Sequence, residues 1–156
     1  MSARDRILGK LRHKAPSTVA LPPDVAAGYA AHRTAESATE KARRFRHFIE
    51  LPVHWGDQDA LGHVNNVQFF RYFESARVAY VEAVFGLPVR ADGEGVILAD
   101  LQCAFRSQLE YPVTVEVGTR IARLGRSSFD VHAAIWRQGA EAPAATSRGV
   151  IVWFDF

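Results

Sequence analysis

Residues 54–85 read HWGDQDALGHVNNVQFFRYFESARVAYVEAVF. A polar loop runs into an apolar helix with no spacer between them. Gln68 to Phe85 contains no glycine or proline. Phe69, Phe73, Ala76, Tyr80 and Ala83 recur at the spacing of one helix face, and Phe70, Tyr72, Val81 and Val84 widen that stripe. The polar side chains are confined to Gln68, Arg71, Glu74, Ser75, Arg77 and Glu82. A helix this apolar has to be covered over most of its surface. Gly86 suits the position just past its end, and Pro88 cannot continue it.

The cover comes from strands on either side. Before the loop, FRHFIELPVHW (45–55) reads as a strand, with Pro52 marking a bend or an edge position. After the helix come four more strand-like runs. Val96–Phe105 is nearly continuously apolar. Val113, Val115 and Val117 alternate with Thr114 and Glu116. Phe129, Val131, Ala133 and Ile135 alternate with Asp130, His132, Ala134 and Trp136. Val150, Val152 and Phe154 alternate within GVIVWFDF. RLGRSS (123–128) and RQGAEAPA (137–144) are glycine-containing turns that favour antiparallel pairing. One helix cannot cover both faces of such a sheet. The simplest arrangement packs the sheet around the helix, an α+β architecture.

Residues 1–44 have a different character. They are rich in Ala and Arg, poor in aromatics, and broken by LPPD at 21–24. Ser37 and Glu40 have capping-box spacing, and Ile7, Leu8 and Leu11 could form a small apolar stripe. We read this segment as an N-terminal extension, partly helical or flexible, ahead of a single domain at 45–156.

Bulk properties narrow the function. The chain has 156 residues, 48% of them hydrophobic and 23% charged, which suits one domain with one core. A formal net charge of +2 argues against nucleic-acid binding, which needs a dense basic face. Cys103 is the only cysteine, so no disulfide framework exists within the chain, and its apolar neighbours predict an inert thiol. No apolar run approaches the roughly 20 residues of a membrane helix. The first residues, MSARDRILGKLRHK, lack the apolar core of a secretory signal. A cytoplasmic location is the resulting expectation.

The loop carries the chemistry. Asp57 and Asp59 sit two apart, followed by His63, Asn65 and Asn66 at the start of the helix. Asn65 or Asn66 can serve as N-cap. The first amides of a helix have no intrahelical partner and lie at the positive end of its dipole. They can hold the oxygen of a carbonyl that gains negative charge in a transition state. A carboxylate nearby can act as general base or nucleophile toward that carbonyl. The stretch thus holds both halves of an acyl-transfer site. Asp57 equally fits a turn-forming role, since Asx side chains bond neighbouring amides, and Gly56 and Gly62 fit backbone geometry. A metal site would need Asp57, Asp59 and His63 to converge, without support from any further Cys/His pair.

HWGDQDALGHVNNVQFFRYFESARVAYVE resembles the signature of the 4-hydroxybenzoyl-CoA thioesterase class of the hotdog superfamily. RLGRSSFDV is similar to that family's turn between two later strands, and the likeness covers roughly residues 45–156. It implies a hotdog fold, a long central helix wrapped by an antiparallel five-stranded sheet. It also implies a homodimer or homotetramer with active sites between subunits, and hydrolysis of an acyl-CoA thioester with no cofactor beyond the CoA of the substrate. The family's catalytic acid corresponds to Asp59, and the amide that polarises the carbonyl corresponds to Asn66. Some relatives carry a histidine where this chain has Asn66; here the histidine is His63. Asn65 and Val67 then become substrate contacts. Arg126, with Ser127 beside it in the strand turn, becomes a candidate for a CoA phosphate, since arginine forks suit phosphate oxygens. Hotdog enoyl-thioester hydratases are one rival, but their histidine follows the aspartate by five residues, and Asp59 and His63 are four apart. A non-catalytic acyl-thioester binding module is the other, because a fold does not fix a function.

Overall fold

The structure is a computed structural model that describes Phe45, residues 47–86 and residues 94–155. The N-terminal extension with its capping box and apolar stripe, and the stop at Pro88, lie outside the described residues. The elements run β1 (His47–Pro52), a short 3-10 turn (Trp55–Asp57), α1 (Asn66–Phe85), β2 (Glu94–Phe105), β3 (Thr114–Leu124), β4 (Ser128–Arg137) and β5 (Ala145–Asp155). The five strands form one sheet in the order β1-β3-β4-β5-β2, antiparallel at every pairing. The expected architecture, one helix against a five-stranded antiparallel sheet, is what forms.

Alternation decides which face meets the helix. Val115 and Val117 of β3, and Phe129, Val131, Ala133 and Ile135 of β4, point toward α1 and are buried. They meet Phe69, Tyr72, Phe73, Ala76, Val81 and Phe85 of the helix, while Tyr80 stands edge-on to His47 of β1. Phe73 keeps only 2% of its surface exposed, so truncating it to alanine would cost about 3–5 kcal/mol. The helix entrance packs with Val53, Val64 and Leu109. The helix exit packs with Phe129, Ile151 and Trp153. On the other face of the sheet, Phe45 and Phe48 cover Ala134 and Trp136.

Three boundaries differ from the sequence reading, each for a local reason. The helix starts at Asn66, two residues before the apolar run, because Asn65 caps it through its side chain. β5 begins at Ala145, well before Val150. Ala145, Ser147 and Gly149 point inward there and are too small to show as an alternating apolar signal. In β2 the register shifts between Leu98 and Asp100. The extra residue of this bulge lets Leu98 and then Leu101, three apart instead of two, face the helix. Gly86 adopts a left-handed conformation, φ 61°, and its N–H donates to the Glu82 carbonyl at 2.9 Å, closing the helix as expected.

Candidate active site

The loop between β1 and α1 is a miniature hairpin. Gln58 and Val64 form an antiparallel bridge. The Asp59 N–H donates to the His63 carbonyl at 2.9 Å, and the Asn65 N–H to the Asp57 carbonyl at 2.8 Å. The turn closes with the Gly62 N–H on the Asp59 carbonyl at 3.0 Å. Gly62 has φ 78°, where a side chain would be strained, so glycine is required at this position. Val64 is buried, and its N–H donates to the Leu109 carbonyl at 2.8 Å, which ties the hairpin to the segment before β3.

The two aspartates of this hairpin do different things. One oxygen of Asp57, Oδ2, accepts from the His54 N–H and from the Tyr72 hydroxyl, both at 2.8 Å. Asp57 therefore fastens the loop to the helix, the structural role open to it from sequence. Burial, then the hydrogen bond and charge of Asp57, push the Tyr72 phenol well above its ordinary pKa. Asp59 accepts only locally: its Oδ1 takes the Leu61 N–H at 2.8 Å. Among the described residues its Oδ2 has no bonded partner.

The helix start is sorted just as clearly. Asn65 is the N-cap, and its Oδ1 accepts the Val67 N–H at 2.9 Å. The Gln68 N–H donates to the Asn65 carbonyl at 2.9 Å. Among the described residues this leaves the Asn66 N–H without a bonded partner, at the positive end of a 20-residue helix. His63 stands on the other side of the turn, its Nε2 3.9 Å from a Glu110 carboxylate oxygen. Trp55, Leu61 and Val67 are 76%, 79% and 59% exposed. Three large apolar side chains thus stand exposed on this loop and helix start. Tyr111 stands edge-on to Trp55 at 5.9 Å.

Asp59, His63, Asn65, Asn66 and Val67 thus share one loop and helix start. Arg126 and Ser127 do not join them within one protomer. They lie in the β3–β4 turn, where the Ser127 carbonyl accepts the Trp153 N–H at 2.9 Å. Trp153 and Phe129 pack on Phe85, at the far end of the helix. Sequence reasoning missed Tyr72 as the anchor of Asp57; its signal was a hydroxyl inside an otherwise apolar helix face. It also missed the exposed Trp55 and Leu61. Cys103 is a free thiol whose pKa is raised by burial, in keeping with an inert side chain. Among the described residues no helix is long and apolar enough to cross a membrane.

Comparison with known proteins places this arrangement. The PA2801 protein of Pseudomonas aeruginosa superposes with a TM-score of 0.67 at 31% identity, over 70% of this chain and 84% of that one. A thioesterase of Thermus thermophilus, solved with coenzyme A and zinc, gives a TM-score of 0.59 at 29% identity, over 70% of this chain and 80% of that one. The uncharacterized protein YsmA of Bacillus subtilis is 27% identical over 88 residues, 56% of this chain. The match spans 59% of that relative's length, less than two thirds. The model of the thioesterase-like superfamily matches residues 53–156, which take in the hairpin, the helix and β2–β5. The chain belongs to the thioesterase-like superfamily and has the hotdog fold of that group.

Proposed function

We propose that the protein hydrolyses an acyl-CoA thioester to a free acid and CoA. The observation that carries this reading is the division of labour in the hairpin. Asp57 is committed to the Tyr72 hydroxyl and the His54 amide, whereas among the described residues one Asp59 oxygen, in the hairpin that leads into the helix, and the first amide of that helix have no bonded partner. Asp59 takes a proton from the attacking water, or attacks the carbonyl itself to give a mixed anhydride that water then hydrolyses, restoring the carboxylate. The carbonyl oxygen gains negative charge and is met by the Asn66 N–H at the helix N-terminus. The carbon–sulfur bond breaks and CoA leaves as thiolate. A thiol pKa of about 8.5 makes this departure easy without an acid. His63 and Asn65 orient the water and the thioester. Val67, Trp55 and Leu61 offer apolar contact to the acyl or pantetheine chain.

Arg126 and Ser127 enter this reading from a second protomer. Among the described residues both edges of the sheet, β1 and β2, are unpaired, and an open edge invites pairing with another strand. β2 is the longer, with 12 residues and no proline. Joining two sheets there gives a homodimer whose sites combine Asp59 of one chain with the β3–β4 turn of the other. The thioesterase from Thermus thermophilus, solved with coenzyme A, supports CoA as the thiol. The test is thiol release from a panel of aromatic and aliphatic acyl-CoAs. Release that depends on Asp59 is the expected result. Loss of enoyl absorbance from an enoyl-CoA without thiol release would make the protein a hydratase. Saturable binding with no turnover would make it a binding module.

A further inference from the structure

The sheet face turned away from α1 holds a cavity of about 490 Å3. Cross-strand register explains its shape. Arg120, His132, Arg148 and Gln102 stand side by side in one rung across β3, β4, β5 and β2. The neighbouring rung is Gly118, Ala134, Thr146 and Ala104, all small. Beyond it rises Trp136, with Phe45 packed edge-on to its ring at 5.3 Å. A row of long polar side chains, a row of short ones and an aromatic wall make a trough.

The charges in this trough do not balance. Arg148 is paired with the buried Asp130 at 3.2 Å. Arg120 is half-buried, and its Nη2 donates to His132 Nδ1 at 3.3 Å. A guanidinium can only donate, so Nδ1 accepts, and in the neutral ring the proton sits on Nε2. The Arg120 Nε is buried with no hydrogen-bond partner. Arg106 reaches only the Thr146 hydroxyl, at 3.4 Å. Among the described residues no carboxylate lies within ion-pair distance of Arg106 or Arg120. Glu141 is the one further acid on the wall. Asp130 is itself shared between Arg148 and Arg123, so among the described residues Glu141 and Asp130 do not offset the guanidiniums, and the trough stays net positive over an apolar floor.

We infer that this trough binds a small organic monocarboxylate. Its two oxygens take the guanidinium forks of Arg120 and Arg106, which match a carboxylate in plane and spacing. Its apolar body lies over Ala134 and Ala104 against Trp136. The cavity volume is in the range of small-molecule sites. The small residues of the floor and the Trp136 wall reward an apolar body, which an organic carboxylate has and inorganic phosphate lacks. The trough lies on the sheet face opposite the helix and the Asp59 hairpin, so this binding is separate from thioester hydrolysis.

Calorimetric titration of the full chain tests the inference, with benzoate and cyclohexanecarboxylate as probes. Benzamide serves as the uncharged analogue, and inorganic phosphate as the competing anion. Both carboxylates should bind saturably, with benzamide and phosphate at least about tenfold weaker. Arg120→Met should weaken carboxylate binding about tenfold or more while thermal unfolding stays cooperative. Ala104→Leu, at an exposed position, fills the trough and keeps both arginines; it should also abolish binding. Asp59→Asn should leave binding intact. No saturable binding at millimolar carboxylate overturns the inference. So does binding unaffected by both trough variants, or phosphate binding as tight as carboxylate. A change of oligomeric state in Arg120→Met without carboxylate binding would likewise overturn it, by making this face an interface between copies.

Discussion

Asn in place of Asp59 separates chemistry from structure with one atom. Asp59 holds the hairpin through its backbone bonds to His63 and Gly62 and through Oδ1 to the Leu61 N–H. Asparagine keeps the backbone and an Oδ1 in the same place. Only the charge assistance of one hydrogen bond is lost, about 1 kcal/mol, which lowers the Tm by about 2–4 °C in a chain of this size. Activity has more to lose. A general base contributes on the order of 10²–10⁴-fold, about 2.7–5.4 kcal/mol of barrier. Asp57→Asn should show the opposite profile. It disturbs two charge-assisted bonds, to His54 and Tyr72, and should cost roughly 1–3 kcal/mol of stability with a smaller loss of turnover. The assays are thermal unfolding and thiol release on the same purified variants. A fully stable Asp57→Asn that is inactive, beside an active Asp59→Asn, would refute the assignment.

Two further perturbations follow from packing and charge. A Cβ on Gly118 would sit 2.8 Å from the Phe48 ring and 3.0 Å from that of Phe45. Gly118→Ala should therefore destabilise by about 1–3 kcal/mol, and a denaturant midpoint unchanged from the parent would contradict this close approach. Stability should fall in two stages on acidification. Burial lowers the His47 pKa, so its contribution is full above about pH 6.5 and is lost as pH falls through the depressed value. The hydrogen bond from Arg123 leads the causes that hold Asp130 below the usual carboxylate range, so its contribution is full above about pH 4 and is lost at still lower pH. Asp130→Asn should flatten the second stage alone in Tm measured against pH, and a variant that keeps the full acid slope would rule Asp130 out.

The helix and the meander of β3, β4 and β5 were legible because their signals are local. Phe69, Phe73, Ala76 and Tyr80 repeat at helical spacing, and Phe129 to Trp136 alternate cleanly. The first half of β5 was not legible, since small residues face inward there and carry no apolar contrast. The position of Asp59 before the helix could be read, as could the choice of an asparagine cap. What Asp57 does could not, because its partner Tyr72 lies 15 residues away and meets it only through the fold. The outward trough was equally hidden. Arg120, His132, Arg148 and Gln102 come from four strands, and only the cross-strand register aligns them.

β1 and β2 end at opposite edges of the sheet. β3, β4 and β5 are joined by short turns, so their pairing closes small loops and should form early. β1 finds its partner only across the helix and β2, where Pro52 meets Thr114. β2 in turn waits for β5, which is made after β3 and β4 and pairs with both β4 and β2. During synthesis, β2 therefore leaves the ribosome with its apolar residues unpaired and keeps them so until β5 has followed. At roughly 5–20 residues per second this interval lasts seconds. An unpaired apolar strand is a target for chaperones and for other nascent copies. The topology that finally gives β2 its place beside β5 thus leaves a long apolar strand open to misassembly on the way.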